Sequence, residues 1–221
     1  MAVVGILLAG GEGRRFGGDK LLQPLPGPEL GPELGPGPVP LALASARNLL
    51  AALPQVIAVV RPGATTLASL LREAGCRVVV CRHASEGMGS TLASAVRASL
   101  RGHAHEHSHA HGNADAPEGW LMALADMPWI EPATLRQLAA ALQQGAAIVA
   151  PSYHGERGHP VGFAWRFRRE LSRLRGDEGA RPVLRQHAGL LQLLPVSDSG
   201  VLRDVDTPAD LAGGGRHTRL Q

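Results

Sequence analysis

The chain has 221 residues, of which 44% are hydrophobic and 3% are aromatic. This composition excludes a wholly disordered chain, and the length suits one well-buried domain. The net charge of +3 fits an anionic small molecule, and because no basic stripe with interleaved aromatics is evident, we expect no nucleic-acid partner. No apolar run approaches the roughly 20 residues of a membrane span, and Met1 leads directly into a predicted strand without a signal peptide. We therefore expect no membrane partner and a cytoplasmic location.

Apolar runs of strand length alternate with helical patterns along the chain. The predicted strands are residues 4–8, 56–60, 78–81, 120–125, 147–150, 161–164 and 191–196. The predicted helices are residues 40–53, 65–73, 91–100, 132–142, 167–174 and 182–188, with a last one starting at 208. The early strands are hydrophobic throughout, which is typical of a sheet covered on both faces. The alternation predicts a three-layer α/β sandwich with a mostly parallel, mixed sheet, forming a single domain over residues 1–212 and followed by a flexible tail at 213–221.

Two cysteines, Cys76 and Cys81, bracket the third predicted strand. Side chains five positions apart on a strand point to opposite faces. The spacing therefore predicts two buried free thiols rather than a disulfide.

Two segments interrupt the alternation. Residues 24–40 are rich in proline and glycine, which predicts an exposed loop without helix or strand. Residues 102–118 contain five histidines at every second position from His103 to His111. Imidazoles at this density chelate transition metals, which makes a metal- or cofactor-handling protein one hypothesis. The interpretation we favour is a solvated loop with adventitious metal affinity, because composition alone imposes no geometry.

The first predicted strand ends in a glycine-rich loop, residues 10–20, that also carries Arg14, Arg15 and Lys20. Glycine lets backbone N–H groups turn inward around an anion, and the cations add charge that backbone dipoles cannot supply. The loop matches neither a Walker loop nor a complete dinucleotide fingerprint. It indicates polyphosphate binding, with a simple tight turn as the alternative.

Two aspartates are candidate ligands of a divalent cation, and the first lies where a parallel strand would open onto a ligand crevice. Asp126 ends an apolar run, and Asp206 precedes Thr207 and Pro208. Such carboxylates can hold Mg²⁺, which binds few protein oxygens and completes its shell with water and phosphates. The alternative is that each aspartate caps a turn or a helix.

Three further glycine-bearing loops, 87–91, 155–160 and 176–181, border predicted elements. They could approach a ligand closely. The second loop contains His159, which could be a structural hydrogen-bonding group or an acid–base group.

Together these residues resemble the nucleotidyltransferase family that includes molybdenum cofactor cytidylyltransferase. The resemblance runs from Val4 to about Leu211 and depends on six motifs in family order. They are Leu8-Ala9-Gly10-Gly11-x-x-x-Arg15-Phe16-Gly17-x-x-Lys20, Glu86-Gly87-Met88-Gly89-Ser90, Ala125-Asp126-Met127-Pro128, Gly158-His159-Pro160-Val161, Gly176-Asp177-x-Gly179-Ala180-Arg181 and Asp204-Val205-Asp206-Thr207-Pro208.

The resemblance implies a Rossmann-like domain that joins a nucleoside monophosphate to the terminal phosphate of a molybdopterin-type acceptor and releases pyrophosphate. It implies Mg²⁺ held by Asp126 and Asp206, and catalytic roles for Arg15, Lys20 and Asp126. The partners would be CTP or GTP, the molybdopterin acceptor, and a molybdoenzyme or its chaperone. The acceptor residues it implies are His159, Asp177 and Arg181. The nucleotide-binding residues it implies are Leu8, Ala9, Gly10, Gly11, Arg15, Lys20, Gly87, Gly89 and Ser90.

The motifs do not agree on the base. Leu8-Ala9-Gly10-Gly11 is the form typical of the guanylyltransferase relatives, whereas cytidylyltransferases commonly carry Leu-Ala-Ala-Gly. Three other features resemble the cytidylyltransferases: the spacing before Lys20, the Gly-His-Pro motif and the Asp-Val-Asp-Thr-Pro motif. We therefore prefer CTP over GTP as the donor. A sugar-phosphate nucleotidyltransferase is a further alternative.

Overall fold

Strands and helices alternate in the computed structural model, which describes residues 2–11, 16, 19–25, 38–106, 116–212 and 216–217, with the backbone alone for 102–106, 212 and 216–217. The strands are β1 (Val3–Ala9), β2 (Pro24–Leu25), β3 (Val39–Pro40), β4 (Val56–Val60), β5 (Arg77–Val80), β6 (Gly119–Leu124), β7 (Ile148–Tyr153), β8 (Glu156–Arg157), β9 (Val161–Ala164), β10 (Leu191–Pro195), β11 (Arg203–Asp204) and β12 (Arg216–His217). The helices are α1 (Leu41–Ala52), α2 (Thr65–Glu73), α3 (Met88–Glu106), α4 (Pro132–Gln143), α5 (Arg168–Leu171), α6 (Arg181–Gln186) and α7 (Pro208–Ala212).

The main sheet has the strand order β10-β7-β9-β6-β1-β4-β5, with β8 paired to β7. The central strand β1 is parallel to β4 and β6, β4 is parallel to β5, and β10 is parallel to β7. Strand β9 is antiparallel to both of its neighbours. Six of the seven strands in this order therefore end at the same edge, and the prediction of a mostly parallel, mixed α/β sheet is confirmed.

Helices cover both faces of this sheet. Leu7 of β1 belongs to a buried cluster with residues of α1, α2 and α4, whereas its neighbour Ile6 belongs to a second cluster with residues of α3, α5 and α6. Successive side chains of a strand point to opposite faces, so a strand between two layers must be apolar at every position. Full burial of each leucine or isoleucine contributes about 1.5–3 kcal/mol, and the two clusters account for the continuous apolar runs.

Cys76 and Cys81 are free and buried, and they belong to the two opposite clusters as predicted. Burial raises the pKa of the Cys76 thiol to about 11. Within the described residues, no helix has both the length and the hydropathy that crossing a bilayer requires.

The predicted helix 167–174 is shortened to α5 (Arg168–Leu171), and three segments that were predicted as loops or tail contain regular structure. The ends of the predicted loop 24–40 pair as β2 and β3, because Leu25 and Val39 are buried in a small apolar cluster with Val205; residues 26–37 lie outside the described part. Helix α3 continues to Glu106, so the loop prediction is wrong for residues 102–106, where a single glycine costs only about 1 kcal/mol; residues 107–115 lie outside the described part. Two residues of the predicted flexible tail pair with β11 as β12, because backbone hydrogen bonds satisfy both short segments.

Candidate active site

A cavity of about 650 Å³ lies at the edge where β1, β4 and β6 end. Its wall includes Gly10 and Gly11 after β1, Arg61 after β4, Asp126 after β6 and Gly87 before α3. Ligands of open α/β sheets bind at this edge, outside the carboxyl ends of the strands. The volume lies within the range of small-molecule sites.

Lys20 joins two aspartates that are far apart in the sequence. Its Nζ lies 2.8 Å from Asp126 Oδ2 and 3.4 Å from Asp206 Oδ1. Lys20 is 9% exposed, so solvent screens this cluster less than a surface ion pair. A backbone hydrogen bond of 3.0 Å from Val205 N–H to Asp126 O sets the two aspartates side by side.

Helix α1 holds the loop that carries Asp126. Ser45 Oγ donates to Ala125 O at 3.0 Å, and Asn48 Nδ2 donates to Pro128 O at 2.8 Å. These bonds use backbone carbonyls on both sides of Asp126 and leave its carboxylate available. Asp126 Oδ1 is buried and has no hydrogen-bonding partner among the described residues.

Asp210 holds the loop that carries Asp206. Its Oδ2 accepts from Asp206 N–H at 3.0 Å and from the Thr207 N–H and hydroxyl at 2.6 and 2.8 Å. A carboxylate in the first turn thus reaches back to the start of α7, as in a capping box. Asp210 therefore supplies the cap, and the Asp206 carboxylate faces Lys20.

The two aspartates fit a magnesium ion. Both direct an oxygen at one cation, and Asp126 keeps a second oxygen without a partner among the described residues. No set of three His, Cys, Asp or Glu side chains in the described ranges could hold a metal by itself. Mg²⁺ is commonly held by one or two carboxylates together with water and substrate phosphates. The residues present suit such a site and would need a phosphate ligand to complete it.

Glycines allow the segments around the cavity to approach closely. Gly87 has φ +115°, and a Cβ there would meet the Asp177 carboxylate and the Gly176 carbonyl. Gly89 N–H donates to Gly176 O at 2.7 Å. The segments 87–91 and 176–181 are therefore in contact, and this contact places Asp177 at the cavity.

A second close approach lies at the end of β1. A Cβ on Gly10 would come within 3.1 Å of Thr91 Cγ2 on α3. The Thr91 side chain would have to move by a few tenths of an ångström. The second half of the Leu8-Ala9-Gly10-Gly11 motif therefore lies directly against the first turns of α3.

His159 lies two residues before β9, near the carboxyl end of β6, because Val161 pairs with Met122 in the antiparallel ladder. Its Nδ1 is enclosed and has no hydrogen-bonding partner among the described residues. Desolvation by burial, and then the charges of Arg157 and Arg181, lower the pKa of His159 to about 4. His159 is therefore neutral near pH 7, which favours hydrogen bonding over proton transfer.

The structure brings most of the predicted site residues to one place. Those lining the cavity are Leu8, Ala9, Gly10, Gly11, Lys20, Gly87, Asp126 and Asp177. Asp206 adjoins it through Lys20, and Gly89 and Ser90 lie in the first turn of α3, where Ser90 Oγ donates to Glu86 Oε2 at 3.2 Å. His159 and Arg181 are not among the described residues that line the cavity. Arg15 lies outside the described residues.

Sequence reasoning missed one pair at the cavity. Arg61 Nη2 donates to Asp19 Oδ1 at 3.0 Å, and both residues line the wall. Arg61 directly follows β4, at the same sheet edge as Gly10 and Asp126. A charged residue at the end of a continuous apolar run was the signal that could have identified it.

The chain is similar to a family model and to known proteins. Residues 5–190 match the family model described as "MobA-like NTP transferase domain". The chain is 28% identical over 216 residues to "Purine catabolism protein PucB" of Bacillus subtilis (strain 168), which covers 94% of this chain and 93% of the relative. It is 30% identical over 215 residues to "Nicotine blue oxidoreductase" of Paenarthrobacter nicotinovorans, covering 93% and 92% of the two chains.

Solved structures show the same fold. Rv0371c from Mycobacterium tuberculosis H37Rv is 24% identical with a TM-score of 0.71 over 96% of this chain and 97% of its own. Its complex with manganese is 23% identical with a TM-score of 0.61 over 89% of both chains. The nucleotidyl transferase Mth528 from Methanothermobacter thermautotroptrophicus is 22% identical with a TM-score of 0.70, covering 97% and 96% of the two chains.

The molybdopterin-guanine dinucleotide biosynthesis protein A from Archaeoglobus fulgidus is 18% identical with a TM-score of 0.59, covering 96% and 97%. These structural neighbours share the Rossmann-like nucleotidyltransferase architecture. With a family model that spans most of its length, this chain belongs to the MobA-like NTP transferase domain family and is a nucleotidyltransferase.

Proposed function

We propose that the protein transfers CMP from CTP to the terminal phosphate of molybdopterin or its molybdenum-containing form and releases pyrophosphate, with Mg²⁺ as the divalent cation. The observation that carries this proposal is the Lys20–Asp126–Asp206 cluster at a cavity of about 650 Å³ on the carboxyl edge of the sheet. A lysine and two carboxylates beside a glycine-lined wall suit a magnesium-bound triphosphate.

The nucleotide would lie along the ends of β1 and α3. Gly10 and Gly11 line the wall where backbone N–H groups can face phosphate oxygens. Lys20 and Arg15 would supply positive charge to the β- and γ-phosphates, since backbone dipoles alone do not neutralise them. The segment from Gly87 to Ser90 would lie near the ribose and the base.

The reaction needs no protein nucleophile, because the acceptor phosphate oxygen is already anionic. That oxygen forms a bond to the α-phosphorus of CTP as the bond from the α-phosphorus to the bridging oxygen breaks, and pyrophosphate leaves with the bonding electron pair. Bound Mg²⁺ would neutralise phosphate oxygens. The chain's task is to hold two anions in line and to stabilise the charge that develops on the leaving group. Asp126 and Asp206 would hold the cation, and Lys20 and Arg15 would face the leaving phosphates.

The acceptor would approach from the side of His159, Asp177 and Arg181. Besides burial, the charges of Arg157 and Arg181 lower the pKa of His159, and the same two charges would attract an anionic acceptor. Neutral His159 offers a ring nitrogen for hydrogen bonding, and Asp177 already lies at the cavity. The close approach of Gly87 to Asp177 supports an acceptor side that would lie next to the nucleotide side.

GTP in place of CTP is the nearest alternative. The glycine at position 10 is the guanylyltransferase form of the motif, and the structure shows that a Cβ there would crowd Thr91. CTP remains the proposal because the spacing to Lys20 and the motifs at His159 and Asp206 resemble the cytidylyltransferases.

The test is a turnover screen with each of the four nucleotides, Mg²⁺, and either molybdopterin or sugar phosphates. Pyrophosphate release and the mass of the product are measured. The proposal predicts release with CTP and molybdopterin and a product heavier by one CMP. Turnover only with GTP, or only with a sugar phosphate, would support the corresponding alternative, and no release with any pair would refute nucleotidyl transfer to these acceptors.

A deletion separates the enzyme from the metal-handling hypothesis. Removing residues 103–111 takes away the five alternating histidines. Turnover survives this deletion if the histidine tract is incidental. Loss of function in a folded deletion variant would favour the metal- or cofactor-handling protein.

A further inference from the structure

Lys20 is the only lysine among the 22 lysine and arginine residues of the chain. All other basic positions carry arginine, whose planar guanidinium pairs with carboxylates in a fixed bidentate geometry. Lysine places a compact charge on a flexible stem with three rotatable donors. Lys20, between Asp126 and Asp206, is therefore a basic side chain that can release carboxylate oxygens and bind other oxygens instead.

The lysine ammonium occupies the space that faces both aspartates. Its Nζ lies 2.8 Å from one carboxylate and 3.4 Å from the other. Magnesium binds oxygen ligands at about 2.0–2.1 Å, so an ion held by both aspartates would lie within a few ångströms of the ammonium. Two cations this close repel each other strongly in a partly buried site.

We infer that Lys20 and the divalent cation compete for Asp126 and Asp206, so that Lys20 closes the metal site until nucleotide phosphates bind its ammonium. The inference rests on the proposed nucleotidyl transfer and adds an order to it. Lys20 is 9% exposed, so its ammonium needs a hydrogen-bonding or charged partner in each position that it occupies. The same side chain lines the cavity, where phosphate oxygens would replace the carboxylates.

This competition couples the two ligands. Metal that binds alone must displace the Lys20 ammonium from the two carboxylates. Bound nucleotide gives the ammonium a new partner and so leaves the carboxylates available to the metal. Each ligand therefore strengthens the binding of the other by the same factor. The apparent Kd of the metal equals its intrinsic Kd divided by the fraction of molecules with open carboxylates, so a lysine bound about nine-tenths of the time weakens metal binding about tenfold.

The first test measures Mn²⁺ binding to the nucleotide-free full chain from the EPR signal of free Mn²⁺. We expect Lys20→Met to lower the Kd at least about tenfold relative to wild type. Lys20→Arg retains a cation and should bind Mn²⁺ no more tightly than wild type. Arg97→Met removes a positive charge on α3 whose Nη1 donates to Ser172 O at 3.1 Å, and it should leave the Kd unchanged.

The second test needs no substitution. A chain labelled with ¹³Cε-lysine gives one side-chain NMR signal, because Lys20 is the only lysine. Titration with Mg²⁺ alone should shift this signal with the same Kd as metal binding. A signal that does not move at saturating Mg²⁺ overturns the proposal, even if Lys20→Met fails to fold.

The outcomes separate this inference from the proposed function. Equal Mn²⁺ affinity in wild type and Lys20→Met overturns the competition and leaves nucleotidyl transfer intact. No Mn²⁺ binding in any variant overturns the metal site and the competition with it. Absence of pyrophosphate release, measured separately, overturns the proposed transfer.

Discussion

Replacing Asp126 by asparagine tests the metal site with little change in shape. The loop around it is held by bonds that do not use the carboxylate, from Ser45 to Ala125 O, from Asn48 to Pro128 O and from Val205 to the Asp126 carbonyl. The backbone should therefore keep its position. What changes is one negative charge and one charge-assisted bond of 2.8 Å to Lys20.

The expected loss is large for activity and moderate for stability. Removing one preorganised group that stabilises transition-state charge typically lowers kcat by about 10²–10³-fold, and we expect a loss of this order here. Lys20 loses its ion pair with residue 126 and keeps only the longer one with Asp206 at 3.4 Å, so the free energy of unfolding should fall by about 1–3 kcal/mol. The lower end applies because the Asp126 side chain is 25% exposed.

The assay is pyrophosphate release at increasing Mg²⁺, with urea unfolding in parallel. The Mg²⁺ concentration for half-maximal rate should rise in Asp126→Asn. Glu118→Gln is the matched control, because it removes a carboxylate directly before the start of β6, at the end of the strand far from Asp126. Wild-type turnover with an unchanged Mg²⁺ titration in Asp126→Asn would refute the assignment of this carboxylate to the metal.

Three further predictions concern stability. Gly87→Ala should lower the free energy of unfolding by about 1–3 kcal/mol and weaken nucleotide binding, because the new Cβ would meet Asp177 at a positive φ. The control is Gly155→Ala, which has φ +83° but open space around it and should leave nucleotide binding unchanged. An equal loss of nucleotide binding in both variants would contradict the contact between Gly87 and Asp177. The pKa of His159 is lowered from 6.5 to about 4, so between these pH values the unfolded chain binds a proton that the folded chain does not. The free energy of unfolding should therefore fall by up to about 3 kcal/mol as the pH drops from 6.5 towards 4. His159→Gln should flatten this pH dependence, measured by urea unfolding at each pH, and an unchanged dependence would disprove the prediction. Asp198 is buried and accepts two backbone N–H bonds of 2.8 Å, so Asp198→Ala should cost about 2–4 kcal/mol in urea unfolding, and a loss below 1 kcal/mol would argue against this role.

Elements with a strong local pattern were predictable. The run at residues 4–8 became β1, and residues 56–60, 65–73 and 161–164 match β4, α2 and β9. Each combines an apolar run of strand length or a helical hydrophobic period with flanking turn residues, so local preference and burial favour the same structure. Helix α3 was predicted too short, because its extension past residue 100 depends on weak propensities that composition does not separate from a loop.

The sequence by itself determined the class of fold, the glycine-rich loop at the end of the first strand, and the two aspartates suited to a cation. It could not show that Lys20 touches both of them, since they lie 106 and 186 positions away. The sheet order decided that contact by placing β1 beside β6. The bond from Val205 to the Asp126 carbonyl then brought the chain's last part to the same edge. Such contacts depend on packing across the whole domain, and a local pattern carries no information about which distant segments become neighbours.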